Sequence, residues 1–195
     1  MSLHRIGGRL VRIGRAVTAA SAWPGRVAGW LLVPLALLVI ATVVGAQLRL
    51  GEIVRWGVDV PVLGTGLNLN GLNELQWHLL AMITMLALST ALVENRHVRV
   101  DLVYDGLPPR GQILVNLVGD LVLLLPFCLV VGYLSLNFAM FAYKTGEQST
   151  YGGLVDRWVV KAFLPLGLAL LAVTAFGRIL THLGLLLAGE EPSRD

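Results

Sequence analysis

Four apolar stretches, each long enough for a helix to cross a bilayer, constrain this chain more than any other feature. A span takes roughly 20 apolar residues, because a helix rises about 1.5 Å per residue through a hydrocarbon core about 30 Å thick. Ala28 to Leu48 carries no charge, and Leu75 to Val93 carries only His78. Ile113 to Tyr143 holds Asp120 and Pro126 and outruns the membrane thickness, so it should tilt or project beyond the lipid. Ala162 to Leu187 includes Arg178 and His182 near its end. Helices are required, since an open sheet would leave backbone groups unpaired in hydrocarbon and these runs lack the alternation of a closed barrel. The expectation is an all-α integral membrane protein with one membrane domain over 1–195 and four transmembrane helices at about 28–48, 75–93, 113–143 and 162–187. A basic leader, 1–27, and a loop, 49–74, complete it.

Composition closes off other classes. Hydrophobic residues make up 56% of the 195 and charged residues 14%, too few for a soluble domain to cover itself. A single cysteine, Cys128, excludes an intrachain disulfide and a thiolate metal cluster. The net charge of +3 does not point to nucleic acid, because the basic residues flank apolar stretches, where they meet anionic lipid or fix topology. The first stretch is not a signal peptide: its apolar core is longer than the usual 7 to 15 residues, and Arg49 follows it although Val44-Gly45-Ala46 resembles a cleavage site.

Positive charge sets the orientation. Arg5, Arg9, Arg12, Arg15, Arg26, Arg96, Arg99, Arg110, Arg178 and Arg194 fall on one side, ten in all. Arg49, Arg55, Lys144, Arg157 and Lys161, five in all, fall on the other. Both termini are therefore expected in the cytoplasm and the 49–74 loop outside. In the leader, Arg5, Arg9, Arg12 and Arg15 share a helical face, with Ile6, Leu10, Ile13 and Val17 near the opposite one. Two readings stay open: an amphipathic helix lying in the membrane interface, or a disordered basic leader, as Gly7, Gly8 and Gly14 would favour.

Ionisable groups within a span are functional candidates by default. Asp120 lies roughly 10 Å into the third helix and Arg178 roughly 24 Å along the fourth, which runs the other way, so both reach the cytoplasmic leaflet. They are expected to pair and lock the third helix to the fourth, with an ion site as the alternative. At the external ends Glu74, Gln76, Trp77 and His78 open the second helix, while Arg157, Trp158 and Lys161 lead into the fourth. A belt of interface Trp and snorkelling cations accounts for them. The sharper alternative adds inter-helix pairing, for example Glu74 with Lys161. His97, Arg99 and Asp101 follow the second span, either as topogenic charge with a local turn or as a folded cap.

Enzyme signatures are absent from the sequence: it has no Gly-x-Ser-x-Gly elbow, no Gly-Lys-Ser/Thr phosphate loop and no His-Glu-x-x-His pair. A haem protein would need paired histidines, but His78 and His182 lie toward opposite membrane faces and His4 and His97 outside the spans. A stand-alone proton-linked transporter would need a carboxylate within a span, and only Asp120 could serve. No catalytic, cofactor or metal residue is expected.

From Glu74 onward the residues resemble a known family. Glu74-Leu75-Gln76-Trp77-His78-Leu79, then Met85-Leu86-Ala87, then His97-Val98-Arg99-Val100-Asp101 form the first part of the pattern. Gly119, Leu125-Pro126-Phe127, Gly146-Glu147-Gln148-Ser149, Gly152-Gly153-Leu154, Arg157-Trp158, Lys161-Ala162 and Pro165-Leu166-Gly167 follow in order. The set resembles the small membrane subunit, of the DctQ type, of tripartite ATP-independent periplasmic (TRAP) transporters. The loop from Arg49 to Asn73 is longer than that pattern. The resemblance implies a multi-pass protein of the bacterial inner membrane. It would be the non-catalytic scaffold of an importer in which a soluble periplasmic binding protein captures an organic acid. A large multi-helix membrane subunit then moves the acid using an ion gradient, usually of sodium. Transport and cation sites would belong to the large subunit. Gly146, Gly152 and Gly153 read as a tight external turn, with Glu147 either solvated or touching the binding protein.

Overall fold

The computed structural model describes residues 2–94, 104, 106–150 and 152–189. Among them, four helices are long and apolar enough to cross a membrane: Leu3–Gln47, Leu69–Val93, Pro109–Thr145 and Trp158–Ala188. The first comprises α1 (Ser2–Ala28), a 3-10 turn (Gly29–Leu31) and α2 (Leu32–Gln47). The leader is thus helical from its start, despite its glycines. α3 (Leu69–Val93) begins ahead of the apolar stretch because Asn68 caps it, its Oδ1 accepting the Gly71 amide at 2.7 Å.

The third long helix joins α4 (Pro109–Val118) to α5 (Leu125–Thr145) through a wider π turn, Gly119–Leu124. Pro126 explains its place. Proline has no N–H to give the Val122 carbonyl and its ring crowds that oxygen, so the ladder opens one turn ahead of it. Pro109 opens α4 at the first helical position, where a missing N–H costs nothing. α6 (Trp158–Ala188) carries Pro165 early in its length.

Between α2 and α3 the loop holds an antiparallel hairpin, β1 (Glu52–Val60) and β2 (Gly64–Asn68). Val54, Trp56, Val58 and Val60 alternate at the period of a strand. At the tip Leu63 N donates to Val60 O at 3.1 Å, with Pro61 and Val62 between them. Val62 sits at φ 71°, a conformation that strains a β-branched side chain. The Trp56 indole N–H bridges to Gly64 O at 2.7 Å and closes the hairpin. The extra length of this loop is accounted for by these two strands.

Contacts group the described residues into two compact units. One, the basic unit, draws on Met1–Pro24, Leu88–Val131 and Leu168–Asp195. The other, the hairpin unit, draws on Gly25–Ala87 and Gly132–Gly167.

In the basic unit α1 packs antiparallel on α6 through small residues. Gly7, Gly14 and Ser21 recur every seven residues and are buried, while Arg5, Arg9, Arg12 and Arg15 are exposed. Gly7 faces Gly184, Gly14 faces Gly177, and Ser21 Oγ lies 2.7 Å from Thr174 Oγ1. A Cβ on Gly7 would come to 2.7 Å from the Gly184 oxygen, so the backbones approach as closely as helices can. Thr90 on α3 donates to the Ala22 carbonyl at 2.7 Å. The apolar centre is Leu92, Cys128 and Leu171, covered by Leu88, Leu124 and Ala172.

In the hairpin unit Gln76 on α3 donates to Thr42 Oγ1 at 2.5 Å and to the Leu38 carbonyl at 3.2 Å on α2. Gly167 on α6 lies against the Met85 backbone of α3. Tyr143 meets Trp158 edge-on, ring centres 5.2 Å apart, where α5 ends and α6 begins.

Candidate functional site

Two polar clusters are built on the helix ends, one in each unit. In the basic unit Arg178 stands on α6 and Asp120 in the π turn, and Asp120 is only 5% exposed. Arg178 Nε donates to Asp120 Oδ2 at 2.8 Å. Its Nη1 donates to the Leu92 carbonyl at 3.1 Å. Leu92 is in the last turn of α3, where carbonyls have no partner in their own helix, so the guanidinium caps that end and complements its dipole. His182 follows Arg178 by four residues on the same face and brings Nδ1 to 3.7 Å from the same carboxylate oxygen. One arginine therefore ties three helices together, with both charges turned toward each other rather than toward lipid.

The hairpin unit is organised by two carboxylates. Glu74 accepts from Ser149 Oγ at 2.5 Å and from the Leu154 amide at 2.9 Å. Leu154 is fully buried, and Gly153 beside it leaves room for the Glu74 carboxylate, which a Cβ there would meet at 2.5 Å and displace. The segment is held on two more sides. Asn68 Nδ2 donates to Gly152 O at 2.6 Å, and the Val155 amide donates to Val62 O at the hairpin tip at 3.0 Å. Gly146 and Gly152 take φ 59° and 66°, which lets the chain turn sharply between α5 and α6.

Glu147 occupies the second position. Lys161 Nζ lies 2.5 Å from its Oε2, Arg157 Nη1 lies 4.0 Å from its Oε1, and the Arg157 amide donates to its carbonyl at 3.1 Å. The Lys161 ammonium also sits 4.0 Å above the Phe138 ring, a cation–π contact. The suggested Glu74 with Lys161 pair is replaced: Lys161 belongs to Glu147, and Glu74 is occupied by the loop. The turn between α5 and α6 carries Glu147 back beside α6, close to Lys161, and delivers Ser149 and Leu154 to Glu74. Glu147 is consequently ion-paired rather than simply solvated. Trp77 is 69% exposed and His78 8%, so neighbouring positions on α3 point in opposite senses, outward and inward. His97, Arg99 and Asp101 lie outside the described residues.

Chemically, these clusters bind helices and loops to one another. Among the described residues no group of three or more His, Cys, Asp or Glu side chains could hold a metal ion.

A family model for the DctQ component of tripartite ATP-independent periplasmic transporters matches residues 35–184. The chain belongs to the DctQ family. No curated protein and no solved structure gives a significant match. This DctQ chain is accordingly a membrane protein and the small-subunit component of a TRAP-type transporter, a family of transporter parts rather than enzymes. The match begins well ahead of Glu74, so most of α2 and all of the hairpin fall inside it together with both polar clusters. All of α1, including every arginine of the leader, falls outside. Sequence reasoning missed the roles of Ser149, Asn68 and the Leu92 carbonyl. Asn68 directly before α3 is a capping signal, whereas a backbone carbonyl leaves no trace in residue type.

Proposed function

We propose that this DctQ chain scaffolds the large multi-helix subunit of a TRAP importer and holds it for a periplasmic binding protein that delivers an organic acid. In this reading it resides in the bacterial inner membrane with both termini cytoplasmic and the hairpin outside, and the ion-coupled step belongs to the large subunit. The observation that carries the proposal is the use of charge: Asp120, Arg178, Glu74, Glu147 and Lys161 are all engaged in tying helices and loops together. A carrier's own pathway needs ionisable groups that face a water-filled cavity and change partners. The hairpin and the turn between α5 and α6, cross-linked through Val62, Asn68 and Glu74, supply a shaped external surface for the binding protein.

The test is purification in mild detergent from native membranes by a tag on the C terminus, with mass spectrometry of what accompanies the chain. A stoichiometric, larger polytopic protein supports the scaffold. Recovery of this chain alone, active in transport after reconstitution, would overturn it in favour of a stand-alone proton-linked carrier using Asp120. Asp120→Asn separates the two as well: a scaffold that still assembles keeps ion-coupled uptake, whereas a carrier loses it.

A further inference from the structure

Within the hairpin unit, α2 and α5 turn different chemistry outward. On α2, Leu37, Ile40 and Val44 are exposed, and the one hydroxyl of that helix, Thr42, is engaged by Gln76. Lipid tails satisfy such a surface. On α5, Ser135 and Ala142 are buried and mark the inner side, while Tyr133, Asn137 and Lys144 are exposed and share the opposite side of the helix. Among the described residues, no hydrogen bond or ion pair engages any of these three side chains.

Depth makes that stripe informative. The Tyr143 and Trp158 rings, meeting where α5 ends, mark the level of an interface aromatic belt. Asn137 lies six residues further in, roughly 9 Å, and Tyr133 ten residues, roughly 15 Å, about half the thickness of the hydrocarbon core. A carboxamide without a partner is costly there, and its short side chain cannot reach the headgroups. Lipid tails offer it nothing, whereas a neighbouring helix can accept its hydrogen bond.

We propose that this face of α5 is where a membrane-spanning helix of the large subunit docks, with Asn137 hydrogen-bonding across the contact. The assignment rests on the scaffold reading above. A second copy of this chain is a poor occupant. Two copies in one bilayer share an orientation, so a twofold contact sets Lys144 against Lys144 at one depth, and like charges oppose it. The fitting helix carries a hydrogen-bond acceptor level with Asn137 and a carboxylate level with Lys144.

The test is photo-crosslinking in native membranes, with a photoreactive benzoylphenylalanine in place of Met140, an exposed residue between Asn137 and Lys144. An adduct of this chain with the large subunit is expected. An adduct with a second copy, or with lipid alone, overturns the proposal. Wild type purified in parallel reports on the scaffold itself. If it brings a larger polytopic protein while Met140 marks only lipid, the assignment of this face fails and the scaffold stands; if it brings none, both fail. Asn137→Leu weakens recovery of the large subunit roughly threefold, the value of an average hydrogen bond between membrane helices, and Asn137→Gln retains it. Recovery by Asn137→Leu equal to that of wild type overturns the proposal as well. The side chain is exposed, so neither substitution disturbs the packing of the chain.

Discussion

Replacing Arg178 by Met removes a guanidinium that serves two acceptors, and the consequence can be worked from the geometry. Asp120, with a side chain 7% exposed, loses its 2.8 Å partner, and the Leu92 carbonyl loses its 3.1 Å donor. Stranding one member of a buried ion pair costs about 3–5 kcal/mol, because the remaining charge stays desolvated without compensation. Arg178→Met and Asp120→Leu should each destabilise by about 3 kcal/mol or more. The double variant should lose clearly less than the sum, since it leaves no orphan charge and fills the space with apolar atoms. The assay is loss of helicity on titrating purified protein in mixed micelles with a denaturing detergent, read as a double-mutant cycle. A coupling of about 2 kcal/mol or more is the expected result. Single losses below about 1 kcal/mol, or strict additivity, would refute the view that this pair holds the three helices together.

Gly14→Leu should detach α1, because its Cβ lands 2.5 Å from the Gly177 carbonyl, whereas Gly8→Leu, with open space around it, should not; limited proteolysis of the first 24 residues, in the unit they belong to, distinguishes the two. Gly153→Ala should push Glu74 off the loop at a cost of about 1–3 kcal/mol, the penalty for unsatisfied buried groups, and faster amide exchange at Leu154 would report it. Lys161→Gln should cost under about 1 kcal/mol, since Glu147 is 31% exposed and retains water; a thermal shift as large as that of Arg178→Met would contradict this ranking.

Asp120 and Arg178 could be paired from the sequence alone because each lies within a long helix. There depth is residue number times rise, and a charge in lipid has few alternatives to its opposite. The same arithmetic fails for Glu74, Glu147 and Lys161. They stand where helices meet loops, and the partner depends on how Gly146 and Gly152 turn the backbone. The hairpin was not read from the sequence, which gave 49–74 only as a loop, although Val54 to Val60 alternate as a strand does. Its docking through Val62 and Asn68 was not legible either, because both contacts go to backbone atoms.

By itself the sequence determined the solvent, the number of long helices and the family pattern from Glu74 onward, because apolar length and charge position along a helix are linear properties of the chain. Only the tertiary structure gave Gly7, Gly14 and Ser21 their meaning. As a sequence, glycines weaken a helix; against Gly184, Gly177 and Thr174 they let two backbones touch, and that contact outweighs propensity. The structure alone likewise left Tyr133, Asn137 and Lys144 on the uncovered face of α5, since which side of a helix is covered is fixed by packing and not by spacing.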